Sequence, residues 1–363
     1  MAGAFFQQYS KLSVPIPLAG LRKWLTSDFG ITKDVSNFTS NWADKNGTGD
    51  ASQPTGSAQP LWVDNQLNGK PILKLDGIND NFLYSEISNA RSIFIVAKHA
   101  TGTQDYASII GSTTSYDFHG AAGTALWGGG YASGNLTGGK CYENGYNIDP
   151  QMILKPTAYS IISLIPLGNV SCSTIGNDRN NAARFWNGDI AEIIIYDSEK
   201  TQAERQQIET YLSLKYSIPI AKNLVPIMTS DIAPIGIASA SSIAYYNTEA
   251  YRAFNGIANY WLSNGNVNEW LKYQFDVAKI VTGYRIVPVY SIDIPSLPNT
   301  FSLQGSNDDS SWTTLDSQAG ITWSGSSGKN FFFANTTAYT YYRLFINSNG
   351  GFVNIAIKEL ELY

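Results

Sequence analysis

The stretch that decides the fold of this chain is Phe301-Ser-Leu-Gln-Gly-Ser-Asn-Asp-Asp-Ser-Ser-Trp312-Thr-Thr-Leu-Asp316. Phe301, Leu303 and Gly305 alternate with polar residues, which is the period-2 pattern of a strand with one buried face. Residues 307–311 are all Asn, Asp or Ser, which favour turns, and Trp312 begins a second strand. The stretch therefore predicts strand, tight turn and strand.

The composition of the chain restricts the classes of fold and partner that it can have. The chain has 363 residues, of which 43% are hydrophobic, so it has room for two packed domains. The net charge is −5 and the sequence pI is about 5.1. This acidic balance argues against nucleic acid or an anionic membrane as a partner, since both require a basic surface. No stretch is apolar for long enough to predict insertion into a membrane.

The first two thirds of the chain predict a sandwich of short strands. The runs 92–97 and 159–165 are apolar at nearly every position, as expected for strands covered on both faces. Thr201-Gln-Ala-Glu204 is a capping box, and the helix that it begins is expected to end near Tyr216, before Pro219. The predicted fold class is all-β, with two β-sandwich (jelly-roll) domains in tandem and one short helix closing the first.

Several motifs of the C-terminal part occur in the order of a known family. They are Ala253-Phe-Asn-Gly256, Tyr260-Trp-Leu-Ser263, Trp270-Leu-Lys-Tyr-Gln-Phe275, Tyr341-Tyr-Arg-Leu344 and Glu359-Leu-Glu-Leu-Tyr363. With the hairpin stretch, they resemble the discoidin (coagulation factor 5/8 C-terminal, galactose-binding-like) family over residues 229–363. This resemblance implies a module that binds glycans or other surface ligands without performing chemistry.

The N-terminal part carries a second, less specific resemblance. Its motifs are Trp42-Ala-Asp-Lys-Asn-Gly47, Asn68-Gly-Lys-Pro71 and Gly188-Asp-Ile-Ala-Glu192. Together they resemble the concanavalin A-like (laminin G-like) lectin and glucanase jelly roll over residues 21–218. The predicted organisation is an attachment segment at 1–20, this jelly roll, a linker at 219–228 and the discoidin-like module.

We expect no catalytic residues. The two histidines, His99 and His119, lie outside metal-ligand patterns, and no nucleophile elbow is present. Glycoside hydrolysis needs two carboxylates flanking one bond. Asp189 and Glu192 are expected on opposite faces of a regular strand because their spacing is odd. Glu359 and Glu361 share a face, but the resemblance implies that this closing strand is structural.

No cofactor is predicted firmly. The family resemblance raises calcium near Asn255 and Glu359, where many relatives have Asp at the position of Asn255. Since a hard cation prefers carboxylate oxygen, this change weakens the calcium prediction. The alternative is a loop closed by hydrogen bonds without a metal. Pairing of Cys141 with Cys172 is also left open by the sequence.

The resemblance places the ligand on loops at one end of the second sandwich. In these loops, Tyr245, Tyr246, Tyr290 and Phe352 are predicted as flat platforms for a sugar ring. Asp293 and Asn349 are predicted as partners for its hydroxyl groups. Rigid aromatic residues beside short polar ones suit such a ligand. For each residue the alternative is packing against its neighbours. In the first domain, Trp62, Trp127 and Tyr131 are further candidates for glycan contact.

The N-terminus lacks the pattern of a secretory signal peptide, although modules of this kind usually act outside cells. We therefore expect a phage virion protein that is assembled in the host cytoplasm and released by lysis. The expected role is that of a tail fibre, receptor-binding or capsid decoration protein. Its partners would be host cell-surface glycans and other virion proteins, and a homo-oligomer would raise the avidity. The alternatives are a glycoside hydrolase or lyase and a purely structural virion protein.

Overall fold

The computed structural model describes residues 14–100, 104–128, 130–179, 181, 184–257, 259–289, 295–323 and 328–363. The chain divides into two compact units: unit 1 ends at Ile220, and unit 2 runs from Ala221 to Tyr363. Each unit has its own hydrophobic core. The described part of the predicted attachment segment packs on unit 1, where Ile16 is buried and the Pro17 carbonyl accepts a hydrogen bond from Tyr196 Oη (3.0 Å).

Unit 1 is built from short strands, as the sequence predicts. They are β1 (Leu21–Thr26), β2 (Ile31–Lys33), β3 (Thr39–Trp42), β4 (Ala51–Ser52), β5 (Leu61–Leu67), β6 (Lys70–Asp76), β7 (Phe82–Ala90), β8 (Ser92–His99), β9 (Ile110–Gly111), β10 (Lys140–Glu143), β11 (Tyr146–Ile148), β12 (Ser160–Ile165), β13 (Val170–Ile175) and β14 (Asn187–Tyr196). The helices are α1 (Gly134–Thr137), α2 (Gln202–Tyr216) and a 3₁₀ turn at Gly56–Ala58.

Two sheets enclose the main core of unit 1. The larger has the order β11-β10-β12-β8-β14-β6-β5, with β1 also paired to β14, and the smaller has the order β2-β3-β4-β7-β13-β9. The core contains alternate residues of β8, Ile93, Ile95 and Ala97, together with Phe82 and Cys172 of the smaller sheet. This arrangement is a β sandwich. Cys141 and Cys172 are both buried and free.

Helix α2 explains why some strands are apolar on both faces. Phe94 and Val96 of β8 point away from the main core and pack with Ile208 and Leu212 of α2 in a second cluster. Thr201 caps the helix: its side chain accepts from Glu204 N (3.3 Å), and Glu204 Oε2 accepts from Thr201 N (2.9 Å). The predicted capping box is confirmed, and the helix ends at Tyr216 as expected.

Strand β14 departs from the regular geometry assumed for its carboxylates. A register irregularity between Ile190 and Glu192 interrupts its pairing with β8. Such a bulge inserts an extra residue and changes which face the following side chains occupy. Asp189 is bonded to Tyr159 Oη (2.7 Å), and Glu192 is bonded to the hydroxyl groups of α2. The prediction of opposite faces was wrong, because both carboxylates lie on the helix side of the sheet.

Unit 2 is a smaller sandwich. Its strands are β15 (Ile237–Ala240), β16 (Trp261–Leu262), β17 (Glu269–Lys279), β18 (Gly283–Val287), β19 (Pro298–Ser306), β20 (Thr313–Gln318), β21 (Lys329–Phe332), β22 (Tyr339–Asn349), β23 (Ala356–Ile357) and β24 (Glu359–Leu362), with a 3₁₀ turn at Ala250–Phe254. The sheets have the orders β15-β17-β22-β19-β20, β21-β18-β24 and β16-β23.

The predicted hairpin forms the edge of the five-stranded sheet. Strands β19 and β20 pair antiparallel, with Phe301 opposite Gln318 and Gly305 opposite Thr313. Phe301 and Leu303 are buried in the core of unit 2. Trp312 lies just before β20, where the Arg343 guanidinium stands 4.0 Å from its ring centroid. The fold class, two β-sandwich units in tandem with one helix closing the first, is confirmed. No helix in the described residues is long and apolar enough to cross a bilayer.

The turn after β6 yields a testable pH dependence. Asp80 is buried, and its Oδ2 accepts from Asp76 N (3.0 Å). Burial and the neighbouring Asp76 carboxylate raise the pKa of Asp80 to about 7. The folded state therefore holds a proton that the unfolded chain releases near pH 4, so unit 1 loses stability as pH rises through about 7. Between pH 5 and pH 7 the loss is about 2 kcal/mol.

We expect Asp80→Asn to remove this loss. Urea unfolding at pH 5 and at pH 7 measures the loss. The urea concentration at the midpoint should be lower at pH 7 than at pH 5 for the wild type, and it should be the same at both pH values for the variant. Asp64→Asn, at an exposed position, is the matched control and should behave as the wild type. Equal pH dependence in wild type and Asp80→Asn would show that Asp80 is ionised in the folded protein.

Candidate functional site

The first loop of the predicted site, residues 241–248, is fixed by its serines. Ser241 and Ser242 both donate to the buried Glu269 carboxylate, Ser242 over 2.7 Å. Ser242 Oγ also accepts from Asn264 N (2.8 Å), and its carbonyl accepts from Trp261 Nε1 (3.0 Å). These bonds anchor the start of the loop to the core strands, so its backbone has little freedom to lose on binding.

Tyr245 and Tyr246 project from this fixed backbone into solvent. Thr248 Oγ1 donates to the Tyr245 carbonyl (2.7 Å) and accepts from Tyr245 N (3.2 Å). The rings take no part in these bonds, and the two residues are 67% and 87% exposed. Aromatic rings at this exposure gain nothing from the core and are available to a ligand.

The second loop, residues 347–354, is held by Asn349. Its Nδ2 donates to the carbonyls of Phe352 (2.9 Å) and Asn354 (2.7 Å), and its Oδ1 accepts from Gly351 N (2.9 Å). Gly351 has φ +107°, which favours glycine. Asn349 therefore positions Phe352, which is 46% exposed. A direct bond from Asn349 to a ligand hydroxyl stays a prediction.

Both loops are attached to the same short segment. Ala244 N donates to the Leu262 carbonyl (2.9 Å), which ties the first loop to β16. Asn354 Nδ2 donates to the Ser263 carbonyl (2.7 Å), and Ile355 N to Ser263 Oγ (2.7 Å), which ties the second loop to the residue that follows β16. The structure thus brings Tyr245, Tyr246 and Phe352 to adjoining loops. Tyr290 and Asp293 lie outside the described residues.

A polar group beside Tyr246 was missed by sequence reasoning. Arg252 Nε donates to Glu249 Oε2 (2.5 Å), and Arg252 Nη2 donates to Asn247 Oδ1 (3.1 Å). The hydrogen bond to Glu249 raises the pKa of Arg252 above its usual value, and the neighbouring Tyr246 contributes in the same direction. The sequence contains a signal for this group, because Arg252 lies only five residues after Asn247. The 3₁₀ turn that brings the Arg252 side chain back to Asn247 was not predicted.

The residues proposed for calcium do not form a charged cage. Asn255 Oδ1 accepts from Ile257 N (3.2 Å), and Glu359 Oε2 accepts from Gly256 N (3.0 Å). Among the described residues, no group of three or more His, Cys, Asp or Glu side chains could hold a metal ion. A single carboxylate supplies little of the negative charge that a hard cation prefers. The hydrogen bonds found here favour the loop closed without a metal.

The two carboxylate pairs considered for catalysis have structural partners. Glu361 Oε2 accepts from Arg285 Nη1 (3.3 Å) and Tyr363 Oη (2.6 Å). Glu359 Oε2 accepts from Gly256 N (3.0 Å). Glu192 is fully buried beneath α2. Neither pair therefore presents two accessible carboxylates to a bond between them.

The three candidates of unit 1 have different environments. Trp127 is buried in the main core. For this residue the structure therefore favours packing against neighbours over contact with a ligand. Trp62 is partly buried, and the Lys33 ammonium lies 3.7 Å from its ring centroid. Tyr131 is 68% exposed and stacks on the His119 ring. Of the three, only Tyr131 offers an open aromatic face.

Comparison with known proteins finds a family match for one segment of the chain. Residues 237–359 match the family model of the F5/8 type C domain. The family prediction is confirmed for this segment, whereas the concanavalin A-like resemblance of unit 1 stays a prediction. No curated protein matches the chain.

Solved structures of carbohydrate-binding modules are also similar to part of the chain. Chitosan-binding module 1 from a chitosanase/glucanase of Paenibacillus sp. IK-5 is 22% identical, with 37% of this chain and 98% of that chain covered and a TM-score of 0.31. CBM32-5 of Clostridium perfringens, in complex with GalNAc-β-1,3-galactose, is 18% identical over 35% and 94%, with a TM-score of 0.31. The family 32 module of NanJ from the same organism, in complex with galactose, is 18% identical over 35% and 92%, with a TM-score of 0.30.

Proposed function

We propose that unit 2 is a non-catalytic glycan-binding module whose site is formed by the loops at 241–248 and 347–354. The observation that carries this proposal is the exposed pair Tyr245 and Tyr246 on a backbone already fixed by hydrogen bonds. A pyranose presents C–H faces that stack on aromatic rings and hydroxyl groups that need short polar partners. The polar group of Arg252, Glu249 and Asn247 beside Tyr246 supplies such partners.

The family match supports the same proposal. Residues 237–359 match the F5/8 type C domain, and the site loops fall within this segment. Resemblance to that family implies binding of glycans or other surface ligands. Because hydrogen bonds already hold the binding loops, little ordering is required on binding, but a site with few aromatic platforms buries little area. We therefore expect weak binding by one site, with a Kd on the order of micromolar to millimolar.

The full chain should be tested on a glycan array and on whole bacterial cells. We expect binding of a defined group of glycans, with no release of reducing ends and no unsaturated products during prolonged incubation. Release of either product would favour the glycoside hydrolase or lyase. An absence of binding to every glycan and cell type tested would favour the purely structural role.

We further propose that the protein belongs to a phage virion, as a tail fibre, receptor-binding or capsid decoration protein. What supports this narrower proposal is the pairing of two sandwich units, each of which resembles an adhesive module. Several copies on one particle would convert weak single-site binding into firm attachment, because linked sites raise avidity by about 10²–10⁴. Mass spectrometry of purified virions from a lysate would detect the chain. Its recovery only in the particle-free fraction would contradict the virion assignment.

A further inference from the structure

A second group of exposed aromatic residues lies on unit 1, in two loops that follow the edge of its smaller sheet. The loops are the described parts of residues 104–131 and 176–186. They are joined through β9, where Gly176 N donates to the Ile109 carbonyl (2.9 Å) and Arg179 N to the Ser112 carbonyl (2.8 Å). Gly111 permits this approach, since a Cβ there would stand 2.4 Å from the Asn177 carbonyl oxygen. The two loops thus form one fixed surface.

A buried carboxylate lies beneath this surface. Asp178 is fully buried, and its Oδ2 accepts from Arg184 Nη1 (2.8 Å) and from Arg179 Nη2 (3.1 Å) and Nε (3.2 Å). Its Oδ1 has no hydrogen-bond partner in the part of the chain that the structure describes. Burial raises the pKa of Asp178, although the Arg179 guanidinium acts in the opposite direction. An incompletely satisfied buried carboxylate costs stability, so its presence here calls for a reason other than stability.

The two arginines are held against aromatic rings. The Arg179 guanidinium lies 3.6 Å from the ring centroid of Tyr116, and that of Arg184 lies 5.7 Å from the centroid of Tyr106. Such cation–π contacts fix the orientation of a guanidinium. Arg184 bonds Asp178 through Nη1, and its guanidinium carries further N–H groups that can donate to a ligand. Both arginines share the single Asp178 carboxylate.

His119 connects these groups to the open surface. Its Nδ1 donates to the Gly120 carbonyl (2.7 Å), which leaves Nε2 as the acceptor of the neutral ring. Tyr131 stacks on the imidazole, with ring centroids 5.1 Å apart and an angle of 27°. Tyr116 is parallel to it at 6.3 Å. Tyr131 and Tyr116 are 68% and 57% exposed, and the ring of Tyr116 is covered by Arg179 on one side.

The backbone of the same loops is strained. Among the described residues, positive φ outside glycine occurs at Asn, Asp and Ser positions and at two residues with longer side chains. These two are Tyr106 (φ 59°) and Arg179 (φ 55°), and both belong to the group described above. A left-handed conformation is unfavourable for such residues and tends to persist where function requires it. Strain, the buried carboxylate and the open rings therefore coincide at one place.

We propose that Tyr116, His119, Tyr131, Arg179 and Arg184 form a second saccharide site, which takes a sugar bearing a carboxylate. Guanidinium groups offer only donors, and their complement is an acceptor such as a carboxylate, which they bind in a paired geometry. Tyr131 supplies the platform for the sugar ring, and Tyr116 holds the Arg179 guanidinium beside it. This site is independent of the glycan site proposed for unit 2 and lies on a different unit.

The test uses the full chain with Tyr245→Ala and Tyr246→Ala, so that unit 2 contributes no aromatic platform. The probes are oligogalacturonate, oligomannuronate and 3′-sialyllactose, each compared with its neutral counterpart, the methyl ester or lactose. We expect at least one acidic probe to bind about tenfold more tightly than its counterpart in calorimetric titration, as expected for a charge-assisted hydrogen bond. In this same background, Tyr131→Ala should reduce that binding about tenfold, and the matched variant Tyr131→Phe should retain it.

Arg184→Gln provides a second readout. It should remove the preference for acid over ester while leaving the residual affinity for the ester unchanged. The proposal is wrong if no acidic probe binds more tightly than its counterpart, or if Tyr131→Ala binds as tightly as its parent. A failure of the glycan site proposed for unit 2 would appear separately: the wild-type chain and the double variant Tyr245→Ala and Tyr246→Ala would then bind neutral glycans equally well.

Discussion

Replacing both Tyr245 and Tyr246 with alanine is expected to weaken glycan binding by unit 2 about 100-fold. Each ring that stacks on a sugar contributes about 1–1.5 kcal/mol, close to a tenfold change in Kd, and the two rings lie on one loop. The loop itself should survive, because its hydrogen bonds come from backbone atoms, Ser242 and Thr248. The measurement is titration of a glycan identified on the array.

Two controls separate the platform from the general properties of the surface. The double variant Tyr245→Phe and Tyr246→Phe retains both rings and should bind within about threefold of the wild type. Phe332→Ala removes an exposed aromatic ring from β21, outside both loops, and should leave binding unchanged. Full affinity in the double alanine variant would place the ligand elsewhere on unit 2.

The regular parts of both units could be predicted because their local patterns agree with the final packing. Leu271, Tyr273 and Phe275 alternate with polar or charged residues in the sequence, and all three are buried in the core. The capping box at Thr201 fixes the start of α2 with no help from the rest of the fold. Where local preference and tertiary contact point to the same structure, the sequence suffices.

Departures occur where one residue changes the register or where a loop folds on itself. The irregularity after Ile190 lies in an apolar run, and nothing in that run distinguishes a bulge from a regular strand. The amide of Asn349 satisfies three backbone groups of its own loop, a positioning role that was not predicted beside its predicted bond to a ligand hydroxyl. Asn is typical of both roles, so residue type could not separate them.

The buried network around Glu192 leads to the largest predicted effect on stability. Glu192 Oε1 accepts from Trp24 Nε1 (2.6 Å) and Tyr211 Oη (2.9 Å). Its Oε2 accepts from Lys215 Nζ (2.8 Å) and Tyr216 Oη (2.7 Å). Burial, followed by the Glu192 charge, raises the pKa of both tyrosines well above the usual value, so they remain donors. One carboxylate thus joins β1, β14 and α2.

We expect Glu192→Ala to reduce the free energy of unfolding of unit 1 by about 3–5 kcal/mol. The substitution removes one acceptor from four donors, and breaking a buried charged network by removing one member costs about this much. Lys215 keeps its contact with Asp28 (2.9 Å), which limits the loss. Urea unfolding followed by tryptophan fluorescence measures it, and the transition of unit 2 should not move.

Comparison with a surface glutamate tests whether burial is the cause. Glu199 pairs with Arg91 (2.8 Å), but its side chain is largely exposed, and Glu199→Ala should change stability by no more than about 0.5 kcal/mol. Glu192→Gln keeps the shape and one acceptor oxygen, but it replaces the other oxygen with an NH2 donor and removes the charge opposite Lys215, so its effect should be intermediate. If Glu192→Ala unfolded at the same urea concentration as Glu199→Ala, the carboxylate would not hold α2 to the sheet, and the apolar contacts of Ile208 and Leu212 would suffice.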